Sequence, residues 1–513
     1  MPNERETACR EFGARVGPSG VHYSVWAPGK RCARVTIHGT RNQRIVNLKP
    51  EPEGFWSGCD ESGRAGDTYL ITLDDDQALP DIASRFQPHG VHRRSECIDP
   101  AAFEWRCANW QRPKWTGQSI YEIHVGALTQ EGTFRAAAQK LSQIRDLRVE
   151  AVELMPLADF HGERNWGYDG VCLFAPARCY GRPDDLRAFV DQAHVCGLAV
   201  VLDVVYNHLG PQGNYLAGYS PDFFRSDRST PWGQSFNLDG ESNGPVREFL
   251  LSNAAHWLDE YRFDGLRLDA THAIPDNSDR HLLAEIAELA ATRGAFIIAE
   301  DERNLVDVVR PAREGGLGFD ALWADDFHHQ VRVATTGTRR NYFSAYDGTS
   351  RSLATTIANG WFYKGEPYPP WNGRPRGTVP RDVNPAAFIH CIENHDQVGN
   401  RHHGERLEHL VAPEVFRAAS MLLCLEPHPI MVFMGQEWAS SSPFLFFTNH
   451  GGELGSKIIE GRMKEFPADH DGDRAGDPSN PEDEAAFNRS KLNWDERKDS
   501  AHARTLELYS TCL

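Results

Sequence analysis

The chain has 513 residues, and at about 150 residues per domain that leaves room for two to four domains around a large buried core. Apolar residues make up 40% and 44 glycines are spread through it, a globular composition that excludes collagen, coiled coil and wholesale disorder. With 54 basic and 72 acidic residues the net charge is −18, which disfavours broad binding to nucleic acid or anionic lipid.

The first elements in the chain read as strands. Residues 21–26, 33–38 and 68–73 alternate apolar and polar side chains between turns, which predicts a small β-sandwich over residues 1–95. Trp26 and Trp56 there suit either its core or a sugar platform. Residues 96–117 read as a connecting segment. From residue 118 the rhythm changes to short apolar runs alternating with helical stretches. Eight runs stand out: 119–125, 149–155, 198–204, 265–269, 295–300, 319–323, 387–392 and 429–434. Helical patterns at 134–147, 183–196, 246–262 and 279–292 lie between them. The expected fold is α/β, a (β/α)8 TIM barrel with long loops over residues 118–513. A doubly wound open sheet is the alternative, since eight runs alone do not prove closure. No glycine-rich phosphate loop follows a strand, which lowers nucleotide-binding readings.

Two segments lack a regular pattern. Residues 360–380 hold Trp361, Phe362, Tyr363, Tyr368 and Trp371 among Pro and Gly, and residues 466–486 are acidic. The aromatics suit either glucose stacking or a satellite core that pins a long loop. The 11 cysteines are odd in number and form no CxxC pair, so neither a disulfide framework nor structural zinc is expected. Residues 1–15 are charged and lack the apolar region of a signal peptide. No apolar run approaches the roughly 18 residues of a membrane span. The expectation is a reduced, cytoplasmic protein without a membrane partner.

The strand ends carry the chemistry. Strand three ends Asp203-Val204-Val205-Tyr206-Asn207-His208, strand four Arg267-Leu268-Asp269, strand five Ala299-Glu300, and strand seven Glu393-Asn394-His395-Asp396. The C-terminal ends of barrel strands form one rim, so these acids, the arginine and the histidines should converge there. Glycoside hydrolysis needs one carboxylate beside the anomeric carbon and one protonated acid near the leaving oxygen. Crowded carboxylates repel, so at least one should hold its proton near neutrality. Arg267, two residues before Asp269, shares its strand face and should keep Asp269 ionised. The same acids could instead be ion-pairing groups at a polar mouth, or the ligands of a magnesium-dependent enzyme.

Read together, these four segments resemble the ordered signature regions of the α-amylase family of glycoside hydrolases. The likeness is greatest to its malto-oligosyltrehalose trehalohydrolase branch, on residues 85–92, 323–329, 394–401, 443–450, 460–462 and 489–494. It runs from about residue 15 to the end and implies an immunoglobulin-like β-sandwich ahead of the barrel. It also implies a retaining mechanism with Asp269 as nucleophile, Glu300 as general acid/base and Asp396 as transition-state stabiliser. Tyr168, His208, Arg267 and His395 would bind the sugar at the cleavage site. His272, Asp325, Asp326, His328, His329, Gln397 and Asn400 would line the loops that read a terminal trehalose, or else only shape the rim through local hydrogen bonds. The implied substrate is a malto-oligosyltrehalose or related α-glucan, and the implied product is free trehalose. No cofactor and no metal are implied: Asn207 matches a calcium position of many α-amylases, but this branch generally does without. The protein partner considered is a second copy, as a homodimer.

Glu393, Ala324 and Thr271 depart from the branch, where Gln, Asn and Val would be expected, and none replaces a catalytic group. The family usually continues past a helix like that at 501–513 into a C-terminal β-domain; either this member lacks that domain or the sequence is truncated before it. Two other functions suit the same residues, a 1,4-α-glucan branching enzyme and a catalytically silent glucan-binding scaffold.

Overall fold

The computed structural model describes residues 11–39, 42–74, 76–230, 232–465 and 480–513. Most of the acidic segment expected as a long loop, residues 466–479, lies outside them.

Two four-stranded antiparallel sheets open the chain. One has the order Gly13–Gly17, Gly20–Trp26, Phe55–Asp60, Lys49–Pro50, and the other Gln43–Asn47, Ala33–His38, Thr68–Leu73, Ser95–Glu96. Alternation explains both. Val21, Tyr23 and Val25 from the first sheet and Val35, Ile37, Tyr69 and Ile71 from the second are all buried. The Tyr23 and Tyr69 rings meet edge-on across the sandwich at 5.1 Å. Trp26 and Trp56 are core residues. Trp26 packs edge-on against Phe223 of the following region at 4.9 Å, and Trp56 donates to the Ala27 carbonyl.

The eight expected strands close into a parallel barrel: Ile120–Ile123, Ala151–Leu154, Ala199–Val204, Gly265–Leu268, Phe296–Glu300, Ala321–Trp323, Phe388–Cys391 and Ile430–Phe433, the last pairing with the first. The open-sheet alternative is thereby excluded. Strands buried on both faces read as continuous apolar runs, and alternation sorts their side chains into two cores. Ile120, Ala151, Ala199, Val201, Phe296, Ile298, Ala321, Ile389 and Met431 fill the barrel interior. Val152, Leu154, Val200, Leu202, Ile297 and Ala299 face outward to the helices. At strand four a methyl on Gly265 would stand 2.5 Å from the Phe296 ring, so only glycine lets these two strands pair.

The expected helices form at Pro183–Val195, Asn243–Glu260 and Leu282–Thr292. The one expected at 134–147 is instead two, Phe134–Ala138 and Leu141–Arg145. Between them the Gln139 and Lys140 amides bond three residues back, to the Ala136 and Ala137 carbonyls, which tightens the turn and breaks the α ladder. Among the described residues no helix is long and apolar enough to cross a membrane.

Candidate active site

Barrel closure brings the polar strand ends to one rim, and a single guanidinium organises them. Arg267, fully buried in strand four, donates to Asp203 Oδ2 at 2.6 Å, Glu300 Oε2 at 2.6 Å and Asp269 Oδ1 at 3.2 Å. Its other face lies 3.9 Å over the Trp323 ring, a cation–π contact that fixes its plane. After Asp269 the chain turns sharply: Ala270 has φ 40°, a left-handed conformation unusual for a residue with a side chain. That turn aims the Ala270 amide at Glu300 Oε2, 3.0 Å away. The other oxygen of Asp269 accepts from Asn207 Nδ2 at 2.9 Å.

Arg267 does not favour Asp269 as expected. Its closer bonds go to Asp203 and Glu300. Burial and the charge of Glu300 push Asp269 well above the usual carboxylate range. Burial opposes ionisation of Glu300 too, but Arg267 and the Ala270 amide outweigh it and hold that carboxyl below its ordinary value. The two acids compete for one proton across a shared cation, so the pair titrates rather than either residue alone.

A second chain of bonds runs from strand one. Glu122 accepts from the backbone amide of His395 at 2.9 Å and from its Nδ1 at 2.5 Å. Burial works against charge on His395, yet Glu122 and Asp396 raise it to about 9. The His395 Nε2 lies 2.8 Å from the Tyr168 hydroxyl, which donates to Asp203 at 2.7 Å, and the two rings stack at 5.2 Å. Asp396 sits in the first turn of the short helix His395–Gly399. Burial raises it, and the charge of Glu300 adds to the rise. His272 acts electrostatically on Glu300, and Asp325, desolvated beside Glu300 and Asp396, is pushed up to about 7. His208 bonds to the Asn207 amide oxygen at 2.6 Å and is covered by the half-exposed Trp232, 5.7 Å away and tilted only 28°. Gln397 is half-buried and accepts from Tyr342 at 3.2 Å.

Four of the expected sugar ligands are packed among protein groups. Asp326 is completely buried and accepts from Arg376, Tyr346, Asn304 and the backbone amides of Phe362 and Tyr363. His328 is buried with Nδ1 on the Ile392 carbonyl. His329 is buried against Tyr342, Phe343 and Tyr346, and burial lowers it to about 3, so it stays neutral. Asn400 uses both ends of its amide on protein, Asp396 at 2.6 Å and Arg462 at 2.7 Å.

Asp326 in fact anchors the aromatic segment 360–380. Trp361 is buried edge-on to Phe388 in the main core, and Tyr363 is buried in a satellite cluster with Tyr346 and Tyr368, so the satellite-core reading holds for Tyr363. Trp371 is half-buried against Tyr368. Asp326→Ala is therefore expected to cost about 3–5 kcal/mol of stability, because Arg376 would be left buried without its counter-charge. Asp325→Ala, one residue earlier, is expected to unfold like wild type. Denaturant unfolding of the two variants checks this.

Glu122 and Trp232 escaped sequence reasoning. A lone acid in the apolar run Ile120-Tyr121-Glu122-Ile123 was the available signal for the first, and an aromatic in a loop after strand three for the second. Asn207 holds Asp269 and His208 with its amide, which leaves that side chain committed to positioning. Among the described residues one group of His and acid side chains is close enough to share a metal, His390, Glu426 and His428. It sits away from this rim. Each of its ring nitrogens already meets an acceptor: Glu426 and the Gly360 carbonyl for His390, the Pro385 and Ile357 carbonyls for His428.

Residues 100–227 match the model of the alpha amylase catalytic domain. The malto-oligosyltrehalose trehalohydrolase of Deinococcus radiodurans is 42% identical over 505 residues, which cover 97% of this chain and 81% of that one. The chain belongs to the malto-oligosyltrehalose trehalohydrolase family. The member from Saccharolobus solfataricus is 40% identical over 484 residues, 94% of this chain and 83% of its own. Among solved structures, one described as an alpha amylase from Salmonella typhimurium superposes with a TM-score of 0.91 at 39% identity, over 98% of this chain and 85% of that one. Trehalohydrolase family membership agrees with the closed barrel and with the ordered acids at its rim.

Proposed function

We propose that this chain is a retaining glycoside hydrolase that cuts the α-1,4-glucosidic bond next to the terminal trehalose of a malto-oligosyltrehalose and releases trehalose. The observation that carries the reading is the sharing of Arg267 between Asp269 and Glu300 at one mouth. Similarity to curated relatives of that name supports the substrate.

Asp269 is read as the nucleophile that attacks the anomeric carbon, and Glu300 as the acid that protonates the departing trehalose oxygen and then deprotonates water. As positive charge grows at the sugar ring it favours ionised Asp269, so the proton the two acids share belongs to Glu300 at that moment. Asp396, beside charged His395, would bond ring hydroxyls more strongly as that charge develops. Tyr168 and His395 form the floor beneath the ring, and His208 with Trp232 flanks it. Asp325, His272 and Gln397 are the rim groups placed to read the trehalose. Residues 1–95 are read as the sandwich, 96–117 as the connector and 118–513 as the catalytic unit. Among the described residues ten cysteines are free thiols, which suits a reducing cytoplasm.

Incubation with maltotriosyltrehalose is expected to yield maltotriose and trehalose in equal amounts. New α-1,6 branches from amylose, with no trehalose from the first substrate, would mark a branching enzyme instead.

A further inference from the structure

We propose that Arg462, on the helix Gly452–Glu465 outside the barrel, is a positioning residue that sets the carboxylate of Asp396 by locking the amide of Asn400. This rests on the reading of Asp396 given above and extends it to a residue that touches no reacting group.

An asparagine amide can face either way, and its two ends are opposite in character: the oxygen only accepts, and the nitrogen only donates. Here a donor-only guanidinium at one end and an acceptor-only carboxylate at the other clamp it in one orientation. Arg462 Nη1 lies 2.7 Å from Asn400 Oδ1, so the oxygen is committed to it and Nδ2 must turn toward Asp396, where it donates to Oδ1 at 2.6 Å. Removing the guanidinium leaves Oδ1 without its donor, so the amide is held by the carboxylate alone and is free to swing away from it. Arg462 is itself held on three sides. Its Nη2 donates to the Gly399 carbonyl at 3.1 Å, and its guanidinium lies 4.4 Å over the Phe446 ring. Phe446 meets Trp166 edge-on at 5.0 Å, and Trp166 meets His395 edge-on at 5.5 Å. A methyl on Gly399 would stand 2.0 Å from the Trp166 ring, so the short helix bearing Asp396 is seated hard on this aromatic layer. The backbone closes the unit, since the Asn400 amide donates to the Asp396 carbonyl at 3.1 Å.

Asp396 is faced by His395, Arg267, Glu300, Asp325 and Tyr342. Two of these, Glu300 and Asp325, are acids that favour its protonated form. The Asn400 donor is one of the few groups that favour the ionised form, so its direction matters to the charge state as well as the position of Asp396.

The test compares Arg462→Met, which keeps the stem against Phe446 but loses every donor, with Arg462→Lys, which keeps a cation able to reach Asn400. Loss of one charge-assisted hydrogen bond in the transition state predicts that Arg462→Met lowers kcat on maltotriosyltrehalose about tenfold with KM changed less than about twofold. The acidic limb of its kcat–pH profile should move to higher pH, because Asp396 without the donor takes up a proton more readily. Arg462→Lys should restore most of kcat and return the limb. In an Asn400→Ala background Arg462→Met should cost less than about twofold more, since its effect passes through that amide. Additive losses in the double variant, or a lower melting temperature with kcat and the acidic limb unmoved, would overturn the proposal and leave Arg462 a helix anchor. Asp396→Asn separates the two levels. If it turns over like wild type, the reading of Asp396 fails; if it is inactive while Arg462→Met behaves as wild type, the positioning role alone fails.

Discussion

Asp269→Asn is expected to lower turnover of maltotriosyltrehalose by about 10⁴-fold, and Glu300→Gln by about 10²–10⁴-fold, both with wild-type unfolding curves. The changes are isosteric. Asn at 269 can still meet Arg267 or Asn207 through its oxygen, and Gln at 300 can still accept from Arg267 and the Ala270 amide. What each loses is charge or a proton, which is the chemistry. The two roles separate with a glucosyl donor whose leaving group departs without a proton, such as a glucosyl fluoride. Formation of the glycosyl-enzyme should then recover in Glu300→Gln and stay absent in Asp269→Asn. Near-native turnover in either variant, or recovery in the wrong one, would reverse or remove the assignment.

Arg267→Met should have the second largest effect, on stability and activity together. Arg267 is the cation that contacts Asp203, Glu300 and Asp269, and all of it is buried. Taking away one partner of a buried ion pair costs about 3–5 kcal/mol because the remaining charge is stranded. Three carboxylates would respond by taking up protons, so Asp269 would lose the negative charge that the proposed attack needs. The expected loss in kcat is about 10²–10³-fold, the scale of removing one preorganised electrostatic group. Arg267→Lys should rescue little, since an ammonium cannot reach three carboxylates in one plane or lie flat on Trp323. Denaturant midpoints and kcat measured on the same preparations check both halves. A variant within about 1 kcal/mol and tenfold of wild type would show that the guanidinium is not what couples the acids.

The barrel was legible because its strands are short apolar runs whose period comes from the chain itself, and all eight fall inside the expected ranges. The acids at their ends were legible for the same reason, since a strand delivers its last residues to one rim whatever its neighbours are. The helix expected at 134–147 was less so: its broken turn at Gln139 depends on two hydrogen bonds that the apolar pattern does not encode. Asp325 and Asp326 show where local reading stops. They are adjacent and alike, yet one faces Glu300 and Asp396 and the other is sealed under five donors, because the chain turns there from strand end into the helix Asp326–Thr336. The partners that decide between them, Arg376 and Tyr346, come from the loop and helix region that follows.

By itself, then, the sequence determined the layers of the fold, the order of the strands and which residue types reach the mouth, all of which follow from periodicity over a few residues. The tertiary structure alone decided which carboxylate Arg267 favours, that Glu122 from strand one charges His395 from 273 positions away, and that Asn400 is spent on holding Asp396. Electrostatic partnership falls off with distance in space, and barrel closure makes neighbours of residues that no local pattern connects.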